Sequence, residues 1–268
     1  MTSDVRPLAV AQPMKRQPPR LTPQHRGLRS YVWRGRDTLG VLGTMGVSLA
    51  VVVVAYDSVI EAWWRALAWA WPHLGIGEAS QVHLVEVAVP GGSMQSLDVA
   101  LSVPGPELIH WWAVAGVALA LTAASLRLSR ERLPAIYFLR LVAALCAASL
   151  VVAAALGPDA IMPADAVLNQ LLTLGMALLW SLPLIHALVL YIFPQSLLQK
   201  LAATLAALLL VAVGIPLQVG TLAWLLAHGS QLVVLPIHLL ASFLPQLLGQ
   251  LGVYGFFMSL VHRPPTPG

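Results

Sequence analysis

The sequence predicts an all-α polytopic membrane protein: six transmembrane helices, with a small extracytoplasmic β-hairpin between helices 1 and 2. Three observations predict it. Of 268 residues, 58% are hydrophobic and only 10% charged, where an average soluble domain carries roughly a quarter charged residues. Six stretches are each apolar over the ~20 residues that a helix needs to cross ~30 Å of hydrocarbon. Between the first two, one segment alternates apolar and polar residues at the period of a strand. A mean hydropathy of +0.79 excludes a soluble domain and a disordered chain.

Residues 1–37 read as a disordered basic cytoplasmic arm. Arg6, Lys15, Arg16, Arg20, Arg26, Arg29, Arg34 and Arg36 are opposed only by Asp4 and Asp37. Five prolines there work against a long amphipathic helix. A basic arm beside an apolar span fits anionic lipid rather than nucleic acid. Residues 38–57 form the first span. Residues 58–107 follow as an outer interfacial helix plus a β-hairpin. Trp63, Trp64, Trp69 and Trp71 suit the headgroup level, so 58–72 is expected to lie along the outer surface. Val85 and Val87 alternate with Glu86 and Ala88. Past Pro90-Gly91-Gly92 the pattern resumes as Leu97, Val99, Leu101 and Val103. Pro-Gly-Gly marks the turn between two strands. Such a hairpin is marginal alone, so it either caps the bundle or offers an edge to a partner strand.

The remaining spans are 108–128, 135–156, 166–193, 201–227 and a proline-broken 231–261, before a cytoplasmic tail at 262–268. Their orientation follows from the basic residues. With the N-terminus inside, fourteen of the fifteen Lys and Arg fall inside and only Arg65 outside. That asymmetry places both termini in the cytoplasm. No Asp, Glu, Lys or Arg falls at mid-membrane depth on this reading, which argues against carboxylate-coupled transport.

Two patterns inside the bundle carry functional expectations. Gly40, Gly43 and Gly46 in the first span, and Gly249, Gly252 and Gly255 in the last, repeat at i+3. Small residues allow close helix approach, so each triplet reads as a helix-packing seam, against the other or against another protein. Leucine at Gly43 or Gly252 is then expected to destabilise. Secondly, Pro183, Pro216, Pro236 and Pro245 interrupt spans four to six. A proline inside a helix frees a backbone carbonyl, and broken helices beside polar side chains can line a cavity. His186, Gln218, His238, Gln246 and Gln250 are the candidate cavity-lining residues.

Chemistry-bearing motifs are missing from the sequence: HExxH, GxSxG, a P-loop and a dinucleotide fingerprint do not occur. Cys146 is the single cysteine, which rules out an intrachain disulfide. His186 and His238 fall towards opposite sides of the membrane and cannot share a haem. His110, His228 and His238 share the outer level without motif spacing. No metal, cofactor or catalytic residue is assigned. The sequence therefore points to a non-enzymatic accessory or scaffold protein of the bacterial inner membrane, serving envelope biogenesis, secretion or export. Its partners are the lipid bilayer and a membrane or extracytoplasmic protein, not nucleic acid. The alternative is a permease-like or lipid-handling protein with its path between spans four, five and six.

Overall fold

A computed structural model of the chain describes residues 35–260, apart from 78–79, 90–91, 104, 191–192, 194 and 243. The basic arm before Gly35 and the tail after residue 260 lie outside the described residues. The order is α1 (Gly35–His73), β1 (Gln81–Val89), β2 (Gly92–Ala100), α2 (Leu108–Arg127), α3 (Leu133–Leu156), α4 (Ala164–Leu190), α5 (Leu197–His228), α6 (Val234–Ile237) and α7 (Leu244–Ser259). Five helices are long and apolar enough to span a membrane. The bent unit formed by α6 and α7 makes six. The chain is a polytopic helical membrane protein with a two-stranded antiparallel hairpin between its first and second spans.

The first helix differs from the sequence expectation. It does not end near residue 57 and resume flat on the surface. It runs unbroken through 39 residues, about 58 Å at 1.5 Å per residue. The cause is its packing. Thr44, Ser48, Val52, Tyr56, Ile60, Trp63, Leu67 and Trp71 are all buried, and their spacing of three or four places them on one stripe. That stripe passes through the supposed break, so α4 and α5 hold the helix straight. Trp63 and Trp71 are core residues rather than members of an interfacial belt, whereas Trp69 and Trp112 are exposed.

Point contacts set the directions. Gly43 lies beside Leu197 and Gly75 beside His228, so α1 and α5 run parallel. The Tyr56 ring lies 5.5 Å from that of Trp180, and Trp63 lies against Gly175, so α4 runs antiparallel to both. Trp63 meets Ala212, which is midway along α5. Glu61 and Arg65, half a turn to either side, therefore stand level with the middle of α5.

The hairpin pairs Leu84 with Leu97 and Val82 with Val99. Side chains of directly paired residues share a face, so Leu97 and Val99, both buried, lie with Leu84 and Val82. Val85 and Val87 lie on the opposite face, across from Ser96 and Met94. The two apolar runs therefore line different faces. Helices hold the strands by their backbones. The Asn169 amide on α4 accepts from the Val99 N–H at 2.8 Å and donates to the Val99 carbonyl at 3.1 Å, as a neighbouring strand would. On the other strand Trp64 Nε1 donates to the Val82 carbonyl at 3.1 Å. Tyr56 donates to the Gln95 carbonyl at 3.2 Å.

Candidate functional site

A helical proline lacks the N–H that would bond the carbonyl four residues earlier. The freed carbonyls here are Ala68 for Pro72, Leu179 for Pro183, Ala212 for Pro216, Leu232 for Pro236 and Ala241 for Pro245. In the last three a side chain from another helix occupies the carbonyl. Trp63 Nε1 on α1 donates to the Ala212 carbonyl at 2.6 Å. Ser149 Oγ on α3 donates to the Leu232 carbonyl at 2.5 Å, fully buried. Gln218 Nε2 on α5 donates to the Ala241 carbonyl, and to that of Ser242 at 2.8 Å. Three different helices thus supply donors to three proline-freed carbonyls.

The third clamp is the most elaborate. After α6, residues His238–Ser242 form a π-helical turn, and the helix axis bends by 58° across it. Such a turn widens the backbone and turns carbonyls outward. Gln218 satisfies two of them, and its Oε1 accepts from Gln246 Nε2 at 3.1 Å. His238 Nδ1 lies 3.3 Å from Ser242 Oγ within the same turn. Two turns further along α7, Gln250 Nε2 donates to the Ala207 carbonyl of α5 at 3.3 Å.

Of the five candidate cavity-lining residues, the structure brings four to the contact of α5 with the broken helix: Gln218, His238, Gln246 and Gln250. His186 stands apart. Its Nδ1 lies 3.3 Å from Thr204 Oγ1 between α4 and α5. Pro183 and Pro216 lie inside continuous helices. The broken span is confined to the segment holding Pro236 and Pro245.

The glycine stripes do not meet one another. A Cβ at Gly249 would approach Leu210 to 2.7 Å, so that position is a tight contact with α5. Gly43 touches Leu197 loosely at 3.9 Å. A Cβ at Gly40, Gly46, Gly252 or Gly255 would meet no other part of the described residues within 4 Å. The correction has a simple cause: α1 packs on α4 and α5, while α7 packs on a different side of α5. The critical glycine is Gly175 on α4. A Cβ there would stand 2.8 Å from Ile215 and 3.0 Å from Trp63. It lies in no repeat, so the spacing rule passes over it.

Trp63, Ser149, Asn169 and Gly175 were not among the sequence candidates. A signal for two of them exists, since every helical proline announces an orphan carbonyl. The sequence alone does not say which donor answers it. The three outer histidines stay apart. His110 Nδ1 accepts from the Glu107 N–H at 3.0 Å and His228 Nδ1 lies 3.0 Å from the Trp224 carbonyl. Among the described residues no group of His, Cys, Asp or Glu is arranged to hold a metal ion.

A groove of about 630 Å³ lies between α1 and α5, lined in part by Trp63, Ala212 and Pro216 of the first clamp. Ala62, Ala66, Ala70, Leu217, Trp69 and Trp224 are among the residues lining it. These features define a helical integral membrane protein with interhelical hydrogen bonds at three of its prolines. No family model, no curated protein and no solved structure matches the chain.

Proposed function

We propose that this protein is a non-enzymatic accessory or scaffold subunit of the bacterial inner membrane, with both termini cytoplasmic, working in envelope biogenesis, secretion or export. One observation carries the reading. Each side chain that would have lined a path between the fourth, fifth and sixth spans makes a bond inside the protein: Gln218 to the Ala241 and Ser242 carbonyls and to Gln246, Gln250 to the Ala207 carbonyl, His186 to Thr204 and His238 to Ser242, with the Oε1 atoms of Gln246 and Gln250 left buried. A pathway needs polar groups that exchange partners with a substrate. A scaffold needs broken helices locked in place, and interhelical hydrogen bonds do that. The outer hairpin supplies the docking element of this reading. Val99 and Val82 turn their backbone groups outward to helices, so by strand periodicity Leu84 and Glu86 also turn theirs outward. Among the described residues nothing bonds those groups, and an extended partner segment fits them.

Cysteine labelling tests the reading. On a Cys146→Ala background, Pro183→Cys, Gln218→Cys and Gln246→Cys should each resist a membrane-impermeant, water-borne thiol reagent. Labelling at all three would establish the permease-like alternative. A reporter fused after Gly268 should be active only in the cytoplasm. Purification in mild detergent should retain a membrane or extracytoplasmic protein.

A further inference from the structure

The elbow between α2 and α3 gathers four arginines. Arg127 ends α2, Arg130 and Arg132 form the short turn that follows, and Arg140 stands two turns into α3. Glu131 is the only acid in that stretch. All five residues are exposed. Among the described residues the one ion pair is Glu61 with Arg65, so no carboxylate neutralises the elbow. Arg140 differs from the other three. It belongs to a helix apolar enough to span a membrane, where an arginine needs a polar partner for its head. Its Nε donates to Ser125 Oγ on α2 at 3.4 Å. That serine is buried, and its hydroxyl donates in turn to the Thr122 carbonyl at 2.8 Å. One edge of the guanidinium is thereby anchored, and its two terminal nitrogens have no partner among the described residues. A helical side chain leans towards its own N-terminus, which for α3 is the elbow, so Arg140 leans towards Arg130 and Arg132. Leu126 on α2 and Leu133, Tyr137, Phe138 and Leu141 on α3 are exposed beside these charges.

We propose that the α2–α3 elbow is a binding site for an anionic phospholipid. The argument is charge complementarity joined to an apolar surface. The free fork of Arg140 suits two oxygens of one phosphate, the bidentate geometry in which arginine excels. Arg127, Arg130 and Arg132 supply the surrounding positive charge, as basic pockets between spanning helices do for lipid headgroups. The acyl chains then run along α3 over Leu133, Tyr137 and Leu141. A free phosphate or an acidic peptide would use the arginines and leave those apolar side chains bare. A phospholipid uses both. The site goes beyond the scaffold reading and stands or falls separately from it.

The test uses the full chain purified in mild detergent. It is offered phosphatidylglycerol or phosphatidylcholine with the same acyl chains, and bound lipid is counted by native mass spectrometry. Phosphatidylglycerol should bind at least about tenfold more tightly. Arg127→Gln, Arg130→Gln and Arg132→Gln should each weaken it about fivefold, and Arg140→Gln about tenfold or more. Arg140→Lys keeps the charge without the fork, so it should still lose about threefold, whereas Arg130→Lys should stay within about twofold. Equal binding of the two lipids overturns the proposal. So do equal effects of the two lysine exchanges, which would reduce the elbow to a diffuse charge. Glycerol phosphate, a headgroup without chains, should fail to displace the lipid, and displacement would overturn the proposal in favour of a free-anion site. Displacement by polyglutamate would overturn it in favour of an acidic protein surface. The lysine variants keep every charge, so they decide the matter even if Arg140→Gln fails to fold.

Discussion

Two prolines leave opposite marks on their helices. At Pro216 α5 continues as one helix of 32 residues. At Pro245 the last span breaks, passes through a π-helical turn and bends by 58°. Both prolines free one carbonyl, and both carbonyls receive a donor from a neighbouring helix. The difference lies in what surrounds them. Pro216 sits inside a long helix gripped by α1 and α4, with Trp63, 2% exposed, pressed between Gly175 and Ile215. Pro245 has only the four-residue α6 before its turn, and a second proline lies nine residues earlier. A proline therefore permits a break, and the packing around it decides whether the break happens.

The grip at Pro216 should be the costliest place to cut. Trp63→Ala removes a large buried ring and the donor to the Ala212 carbonyl together. It should destabilise the bundle by about 3–5 kcal/mol, read as the loss of folded fraction in a denaturing-detergent titration. Trp63→Phe keeps most of the ring and loses only the hydrogen bond, so it should cost about 1–3 kcal/mol. If the two variants behave alike, the ring alone matters and the clamp explanation fails.

Gly175→Ala comes next. Its new methyl would stand 2.8 Å from Ile215 and 3.0 Å from Trp63, and both are fully packed. Overpacking of this kind costs about 1–3 kcal/mol. Adding Ile215→Ala should recover part of that loss relative to the sum of the two single variants, because it removes the two Cγ atoms that the new methyl meets. No recovery would mean that the crowding lies elsewhere.

The polar clamp should be weaker and should show coupling. Interhelical hydrogen bonds in membranes contribute about 0.6 kcal/mol on average and up to about 1.7. Gln218→Leu, which orphans two carbonyls, should sit near the upper figure. Pro245→Ala restores the N–H that the Ala241 carbonyl lacks, so it removes much of the need for Gln218. The double variant should then lose less than the sum of the two single losses. Strict additivity would show that Gln218 and Pro245 do not share the carbonyl energetically.

Legibility followed the same division between apolar and polar contacts. The six apolar stretches and the hairpin were readable because hydropathy and period two leave direct marks on composition. The length of α1 was misread because Asp57, Glu61 and Arg65 look like a boundary, and only the burial of Ile60, Trp63 and Leu67 shows the helix continuing. The prolines were recognised as sources of freed carbonyls, and Gln218 and Gln246 were placed near them. In the structure Gln218 bonds the Ala241 and Ser242 carbonyls and accepts from Gln246, a partnership that proline spacing alone does not announce. Trp63 and Ser149 stayed hidden because each answers a proline on another helix, 153 and 87 positions away (216 − 63 and 236 − 149), and nothing local records such a pairing.

The glycine stripes provide the smallest expected effect. A Cβ at Gly252 would meet nothing within 4 Å among the described residues, and glycine is a poor helix former relative to leucine. In detergent-solubilised single chains the melting midpoint should move by the equivalent of about 0.5 kcal/mol or less. Gly249→Leu, three residues earlier, drives into Leu210 and should cost about 1–3 kcal/mol. One stripe thus splits into a packed member and an open one. If Gly252→Leu proves silent in detergent but lowers abundance in the membrane, the open half of the stripe meets another protein, since lipid accepts leucine without penalty. If both variants are equally harmful in detergent, α7 presents a different face to α5 than Gly249 and Gln250 indicate, and the polar clamp at Gln218 loses its geometry with it.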